Sequence, residues 1–330
     1  RGGRPAMAAA AEAPAAPGKA KVKTKVSKEP MRWADDGGEA DVPAFRAPSA
    51  AGNAFDVRMQ DEPDGVLAAQ KIVGCIKERG VCVCQANAPK QLIEAAFYEA
   101  SELWEDGAFS QPLRVHDDRS MLEAQLWAQA LRDEEKVVWI RGGDSQSLKG
   151  MNALKLLAKN MSEFASGLGH NLQQEMKVEF DRISHAMLSC YTGDRQYVLH
   201  MDNAHGSDDC SGMPDNGMRL TCTYYLNTDW DLDLGCQGGL DVFLTDPSAA
   251  PASVSGARRA PRLQVAPQCD TLVMFPSERM AHQVISTEGK EQKWFALTVW
   301  GLDGGAMQQM SKKLLAMRRQ PQKEDSDDDD

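Results

Sequence analysis

The sequence predicts an α+β protein with a mainly β core, a jelly roll or sandwich of two sheets around a cavity, with supporting helices N-terminal to it. Three observations carry this. From 182 to 302 the chain is a series of short β-rich runs separated by Gly, Pro, Asn and Asp. Before it, residues 61–180 place apolar side chains three and four apart, the spacing of amphipathic helices. Residues 1–60, rich in Ala, Pro, Gly and charge, have almost no such periodicity, so burial cannot offset the entropy of ordering them and a disordered arm is expected.

Val66, Leu67, Ile72, Val73 and Ile76 lie on one face of a helix that Gly80 ends, because glycine enters the left-handed conformation of a C-cap at no steric cost. A short strand over 81–85 follows. Leu92, Ile93, Ala96, Phe97, Leu103 and Trp104 face one side of a second helix, and Ser120 with Glu123 makes a capping box ahead of Leu122, Leu126 and Leu131. Residues 136–140 read as a strand before the turn Arg141-Gly142-Gly143. A long helix over 148–172 then carries Leu154, Leu157, Met161, Phe164 and Leu168. The core, 181–303, holds the runs ISHAMLSCY, YVLHM, LTCTYYLN, GGLDVFL, TLVMF, HQVI and WFALTVW. Residues 246–261, DPSAAPASVSGARRAP, are too rich in Ala, Pro and Ser for a core strand and are expected as a surface loop. Residues 304–330 are expected as a helix and an acidic tail.

The 330 residues suffice for one large domain or two modest ones, and no apolar stretch reaches the ~18 residues of a membrane-spanning helix. The net charge of −11 persists between a basic start and an acidic end, so a phosphate backbone would be repelled and nucleic acid is not an expected partner. Eight cysteines without CxxC pairs read as free thiols in a reducing compartment. A monomer in the cytoplasm or nucleus is expected, with organellar targeting by the Ala-rich, acid-poor arm left open.

The chemistry concentrates at His200-Met201-Asp202. On a strand, residues two apart share a face, so one imidazole and one carboxylate point the same way. His282, between the apolar runs TLVMF and HQVI, supplies a third donor. Two histidines and one carboxylate make a facial triad of the kind used by non-haem Fe(II) oxygenases, which leaves coordination positions open for cosubstrate and oxygen. His205 lies in a Gly, Ser and Asp loop and reads as solvated, and His116, His170 and His185 have no partner pattern. Cys82 and Cys84 alternate on a strand, which buried thiols explain as well as metal binding. The 16 methionines read as core filling.

The runs YVLHMDNAHG, LTCTYYLNTDWD, GGLDVF, TLVMFPSERMAHQV and ALTVW, in this order and approximate spacing, resemble the 2-oxoglutarate- and Fe(II)-dependent prolyl 4-hydroxylases, in particular the hypoxia-inducible-factor prolyl hydroxylase branch. The resemblance covers about 181–302. It implies a double-stranded β-helix with iron at its mouth, and His200, Asp202 and His282 as iron ligands. It implies Tyr191, Tyr225, Leu240, Thr298 and Trp300 as pocket residues, with Tyr225 bonding the far carboxylate of 2-oxoglutarate. No catalytic residue is implied beyond the metal site. The family pairs that carboxylate with a basic residue, a position the ALTVW register places at Trp294. Lys293, brought inward by a β-bulge, is the expected substitute, with Lys290 and Arg279 as alternatives.

The activity so implied is hydroxylation of a prolyl residue in a protein or peptide, with O2 as second cosubstrate, release of succinate and CO2, and L-ascorbate maintaining the iron. Two other readings stay open: an oxygenase of this fold acting on another side chain, a small molecule or an alkylated base, and an inactive peptide-binding module.

Overall fold

The computed structural model describes residues 44–46, 48–49, 52–110, 136–140, 150–193, 199–210, 213–231, 236–285, 287 and 292–319. The expected capping box at Ser120, the Arg141-Gly142-Gly143 turn, His116, Lys290 and the acidic tail lie outside them.

Helix α1, Gly65–Arg79, starts where the Asp64 carboxylate accepts the Val66 and Leu67 amides and stops at Gly80, whose φ of 81° is left-handed. The strand after it, β3, is Cys82–Gln85. Helix α2 is Lys90–Glu105 and the long helix α3 is Asn152–Met176. Ile72 and Ile76 of α1, Ala96 and Leu103 of α2, and Leu154, Leu168 and Leu172 of α3 form one apolar core with Leu188, Leu220, Tyr224, Leu272, Phe295 and Leu297 from the strands. Each large apolar side chain fully buried here contributes about 1.5–3 kcal/mol. The helices therefore buttress one face of the principal sheet, as their spacing predicts.

That sheet contains β2 (Val57–Arg58), β3, β4 (Lys136–Ile140), β5 (Arg182–Ile183), β6 (Ala186–Thr192), β7 (Met218–Tyr225), β10 (Thr271–Pro276) and β12 (Lys293–Leu302). Its order is β2-β3-β10-β7-β12-β6-β4, with β5 pairing the end of β12. A second sheet runs β1-β9-β8-β11, from Ala44–Arg46, Arg262–Val265, Gly239–Phe243 and His282–Ile285. Period-two alternation splits the principal sheet: Phe295, Leu297 and Val299 of β12 enter the helix-side core, while Trp294, Ala296, Thr298 and Trp300 take the opposite face. Helix α4, Gly304–Arg319, follows β12 and adds Met307 and Met310 to a small cluster with Met187, Met218, Trp300 and Leu302. The result is the mixed architecture expected, helices preceding a two-sheet β core.

The structure corrects two expectations. The arm expected over 1–60 contains regular structure at its end, since Ala44–Arg46 and Val57–Arg58 are strands. Asn53 is buried between them, its amide nitrogen donating to the Ala266 carbonyl and its oxygen accepting the Ala266 amide. Residues 246–261 are not a simple surface loop. Val254, Ala257 and Ala260 are buried with Met201, Ala204, Phe243 and Ala281, and the Asp209 carboxylate accepts the Val254 and Ser255 amides. None of the eight cysteines is in a disulfide.

Candidate metal centre

His200 and His282 face each other across an isolated antiparallel bridge, each amide bonded to the other's carbonyl at 3.0 and 2.9 Å. This pairing brings residues 82 positions apart in sequence to a ring-centroid distance of 4.2 Å. Asp202 sits in the turn just after His200. Its Oδ1 lies 3.4 Å from His200 Nε2 and 3.5 Å from His282 Nε2, and one donor atom from each residue falls within 4.8 Å of the others.

The surroundings fit a cation. Asp202 presents Oδ1 to the histidines because its other oxygen is engaged, accepting the Thr221 hydroxyl at 2.6 Å and the Trp300 indole N–H at 2.8 Å. Burial opposes ionisation of Asp202, but the His282 and His200 rings and the Thr221 hydroxyl outweigh it and hold the carboxyl well below its usual range. His282 is buried, and this burial lowers it to about 4, so the ring is neutral as a ligand must be. With Nδ1 3.2 Å from the Met280 carbonyl, the tautomer that donates there leaves the Nε2 lone pair facing Asp202. Two imidazoles and one carboxylate, arranged on one side, are a donor set for a divalent first-row metal.

Beyond the triad, the inner faces of the two sheets carry the other expected pocket residues. His282 pairs with Val242 and Val284 with Leu240 across β11 and β8, so Leu240 is a wall residue one step from the metal end. Opposite, the Thr223 and Thr298 hydroxyls lie 3.1 Å apart. The buried Tyr225 meets the Trp294 ring edge-on at 5.7 Å, and Tyr191 stacks on it at 4.2 Å. Burial pushes the Tyr225 phenol well above its usual value, so it is a neutral donor.

The structure thus brings Tyr191 and Tyr225 against Trp294, Thr298 against Thr223 and Leu240 one ladder step from the partner of His282, and gives Trp300 a different task, holding the Asp202 carboxylate. It does not bring Lys293 in. The β12–β6 ladder runs without a shift from Lys293↔Thr192 to Thr298↔Met187, so the expected bulge is absent, and Lys293 Nζ pairs with Glu105 of α2 at 3.0 Å. Arg279 donates to the Pro247 and Met176 carbonyls. His205 bonds Asn203 at 3.0 Å and stays outside the triad. Thr221, which the sequence reading passed over, was findable: it lies two and four residues before Thr223 and Tyr225 and so shares their face.

Residues 186–301 match the model of the 2OG-Fe(II) oxygenase superfamily, and this span holds the whole triad. That span, about a third of the chain, is what is similar to the superfamily. It is 26% identical over 251 residues to human Egl nine homolog 1, covering 76% of this chain and 50% of that protein. The chain thus spans about half the length of that relative. To mouse Prolyl hydroxylase EGLN3 it is 25% identical over 256 residues, covering 77% of this chain and 91% of the relative. Among solved structures, a Trichoplax adhaerens prolyl hydroxylase in complex with a hypoxia inducible factor oxygen degradation domain peptide fragment superposes with a TM-score of 0.53. Identity there is 20%, covering 76% of this chain and 96% of that one, a likeness of fold. The match and the triad together imply Fe(II) as the metal and 2-oxoglutarate as the cosubstrate.

Proposed function

We propose that the chain is an Fe(II)- and 2-oxoglutarate-dependent dioxygenase that hydroxylates a prolyl residue within a protein or peptide, releasing succinate and CO2. The observation that carries the oxygenase reading is the triad, in which two imidazoles and a hydrogen-bonded carboxylate converge. Iron with 2-oxoglutarate would supply the oxidising power to place one oxygen atom of O2 on the substrate carbon and the other in succinate. L-ascorbate would keep the iron reduced between turnovers.

The protein's own part is positional. His200, Asp202 and His282 would hold the metal, Thr221 and Trp300 fix the carboxylate, and Tyr225 and Thr298 line the space for the cosubstrate. The prolyl substrate is supported by the names of the relatives and by the segments flanking the triad. Residues 203–210 and 213–217 are tied down by Asn203, which donates to Asp215 and to the Met218 carbonyl, and by Asn216, which donates to the Asp202 carbonyl. Residues 246–261 are clamped to them through Asp209. Two long anchored walls beside a metal suit an extended chain, and a polyproline II segment has little entropy left to lose on binding there.

The test is incubation with Fe(II), ascorbate and 2-oxoglutarate against a panel of prolyl peptides, read by mass spectrometry and succinate release. One added oxygen on a proline, matched by succinate and absent from Asp202→Ala, is expected. Succinate formation driven by a small molecule or a nucleobase, and by no prolyl peptide, would replace the substrate assignment.

A further inference from the structure

Where the resemblance places the family's cation this chain has a tryptophan, and two buried polar groups there find no partner. Trp294 is 2% exposed, yet its indole Nε1 finds no hydrogen-bond partner. Thr287, 4% exposed, leaves its hydroxyl in the same condition. Buried donors are almost always paired, so two orphans on neighbouring residues point to a group that arrives from outside the chain.

That the two residues are neighbours follows from Gly238, which touches both the indole Nε1 and the Thr287 side chain. A Cβ at this position would lie 2.5 Å from Trp294 Nε1 and 3.0 Å from Thr287 Cγ2. Its φ of 102° belongs to glycine, and the missing side chain keeps the N–H edge of the indole clear. Gly238 also continues a row: Val242 opposite His282, Leu240 opposite Val284, then Gly238 against Trp294. Two steps of two residues separate the triad end from this end, about 13 Å of strand at ~3.3 Å per residue. The row therefore leads from the metal ligands to the orphaned donors along one wall.

Among the described residues, the basic side chains that might have served are committed elsewhere. Lys293 pairs with Glu105, Arg219 with Asp215 and Asp303, Arg262 with Asp241, and Arg279 with backbone carbonyls. An indole N–H can only donate, so what it awaits is an acceptor, and a carboxylate has acceptor capacity on both oxygens.

We infer that Trp294 and Thr287 form a neutral hydrogen-bond cradle for the far carboxylate of the 2-oxo acid cosubstrate, in place of a salt bridge. This rests on the oxygenase reading above and goes beyond it, because it makes Trp294 a binding and specificity residue.

The test measures binding and needs no turnover. Manganese-loaded protein, kept anaerobic, is titrated calorimetrically with 2-oxoglutarate and with 2-oxovalerate, which has a methyl group where the far carboxylate would be. Trp294→Phe keeps an aromatic ring against Tyr191 and removes the N–H together with part of the indole's volume, a packing loss that acts on both ligands alike. It should weaken 2-oxoglutarate about tenfold, the loss expected for a hydrogen bond to a charged group, and leave 2-oxovalerate within twofold. Thr287→Val, a near-isosteric change, should weaken 2-oxoglutarate severalfold in the same selective way. The 2-oxovalerate measurement reports whether each variant is folded and competent. Equal weakening of both ligands, or no change in either, would overturn the cradle while leaving the oxygenase reading in place. Failure of the wild-type protein to bind either ligand would overturn both.

Discussion

Replacing Trp300 by Phe should loosen the metal site without touching a ligand. The Trp300 indole is 3% exposed and its N–H lies 2.8 Å from Asp202 Oδ2, so the bond is a buried, charge-assisted one. Losing such a bond costs about 1.5–3 kcal/mol. At about 1.4 kcal/mol per factor of ten, that corresponds to metal affinity about ten- to a hundredfold weaker, the range usual for partners that orient a ligand. The smaller ring also leaves a gap among Met187, Met218, Leu302 and Met310, which lowers the melting temperature of the metal-free protein. Thr221→Val separates the two effects: it removes the other donor, at 2.6 Å, with almost no change in volume. Anaerobic calorimetric titration with Fe(II) or Mn(II) reads the affinity, and thermal unfolding reads the packing. Affinities within twofold of wild type in both variants would refute the assignment of Thr221 and Trp300 as the groups that aim Asp202.

Lys293→Ala should leave 2-oxoglutarate affinity unchanged and cost under about 1 kcal/mol, since it removes only a partly exposed ion pair with Glu105; a tenfold weaker cosubstrate would return Lys293 to the pocket. Asn227→Ala should lower unfolding free energy by on the order of 3 kcal/mol in denaturant titration, because its buried amide bonds the Pro267 carbonyl and both the carbonyl and amide of Phe295. Asp209→Ala should speed hydrogen exchange at the Val254 and Ser255 amides, which its carboxylate accepts. Burial opposes ionisation of Asp209, but those amides outweigh it and lower it to about 2. Protection at the two amides is therefore full above the ordinary carboxylate value of about 3.9 and lost as pH falls through about 2.

The strands that frame the site were legible because each alternates apolar and polar residues between clear turn signals, and the helices because their apolar faces match a sheet. The strands β1, β2 and β9 were not. Each has four residues or fewer, and β9 follows directly on the Ala- and Pro-rich stretch. Their existence depends on partners far along the chain, such as the parallel pairing of Ala44 with Arg262. The three triad residues were visible as a motif plus a downstream histidine. What aims them was not, since the Trp300 to Asp202 bond joins residues 98 apart and exists only once β12 lies beside β7. Lys293 shows the opposite case: alternation alone places it opposite Trp294, and the unbroken register of β12 with β6 keeps it there.

The most direct test of the central claim follows the oxygen atoms. With Fe(II), 2-oxoglutarate, ascorbate and a responsive prolyl peptide under isotopically heavy O2, the account predicts one heavy atom in succinate and one on the hydroxylated proline. Both should be lost in Asp202→Ala. Succinate that carries no oxygen from O2, or a hydroxylated product whose oxygen comes from water, would contradict the assignment of this triad as a dioxygenase site.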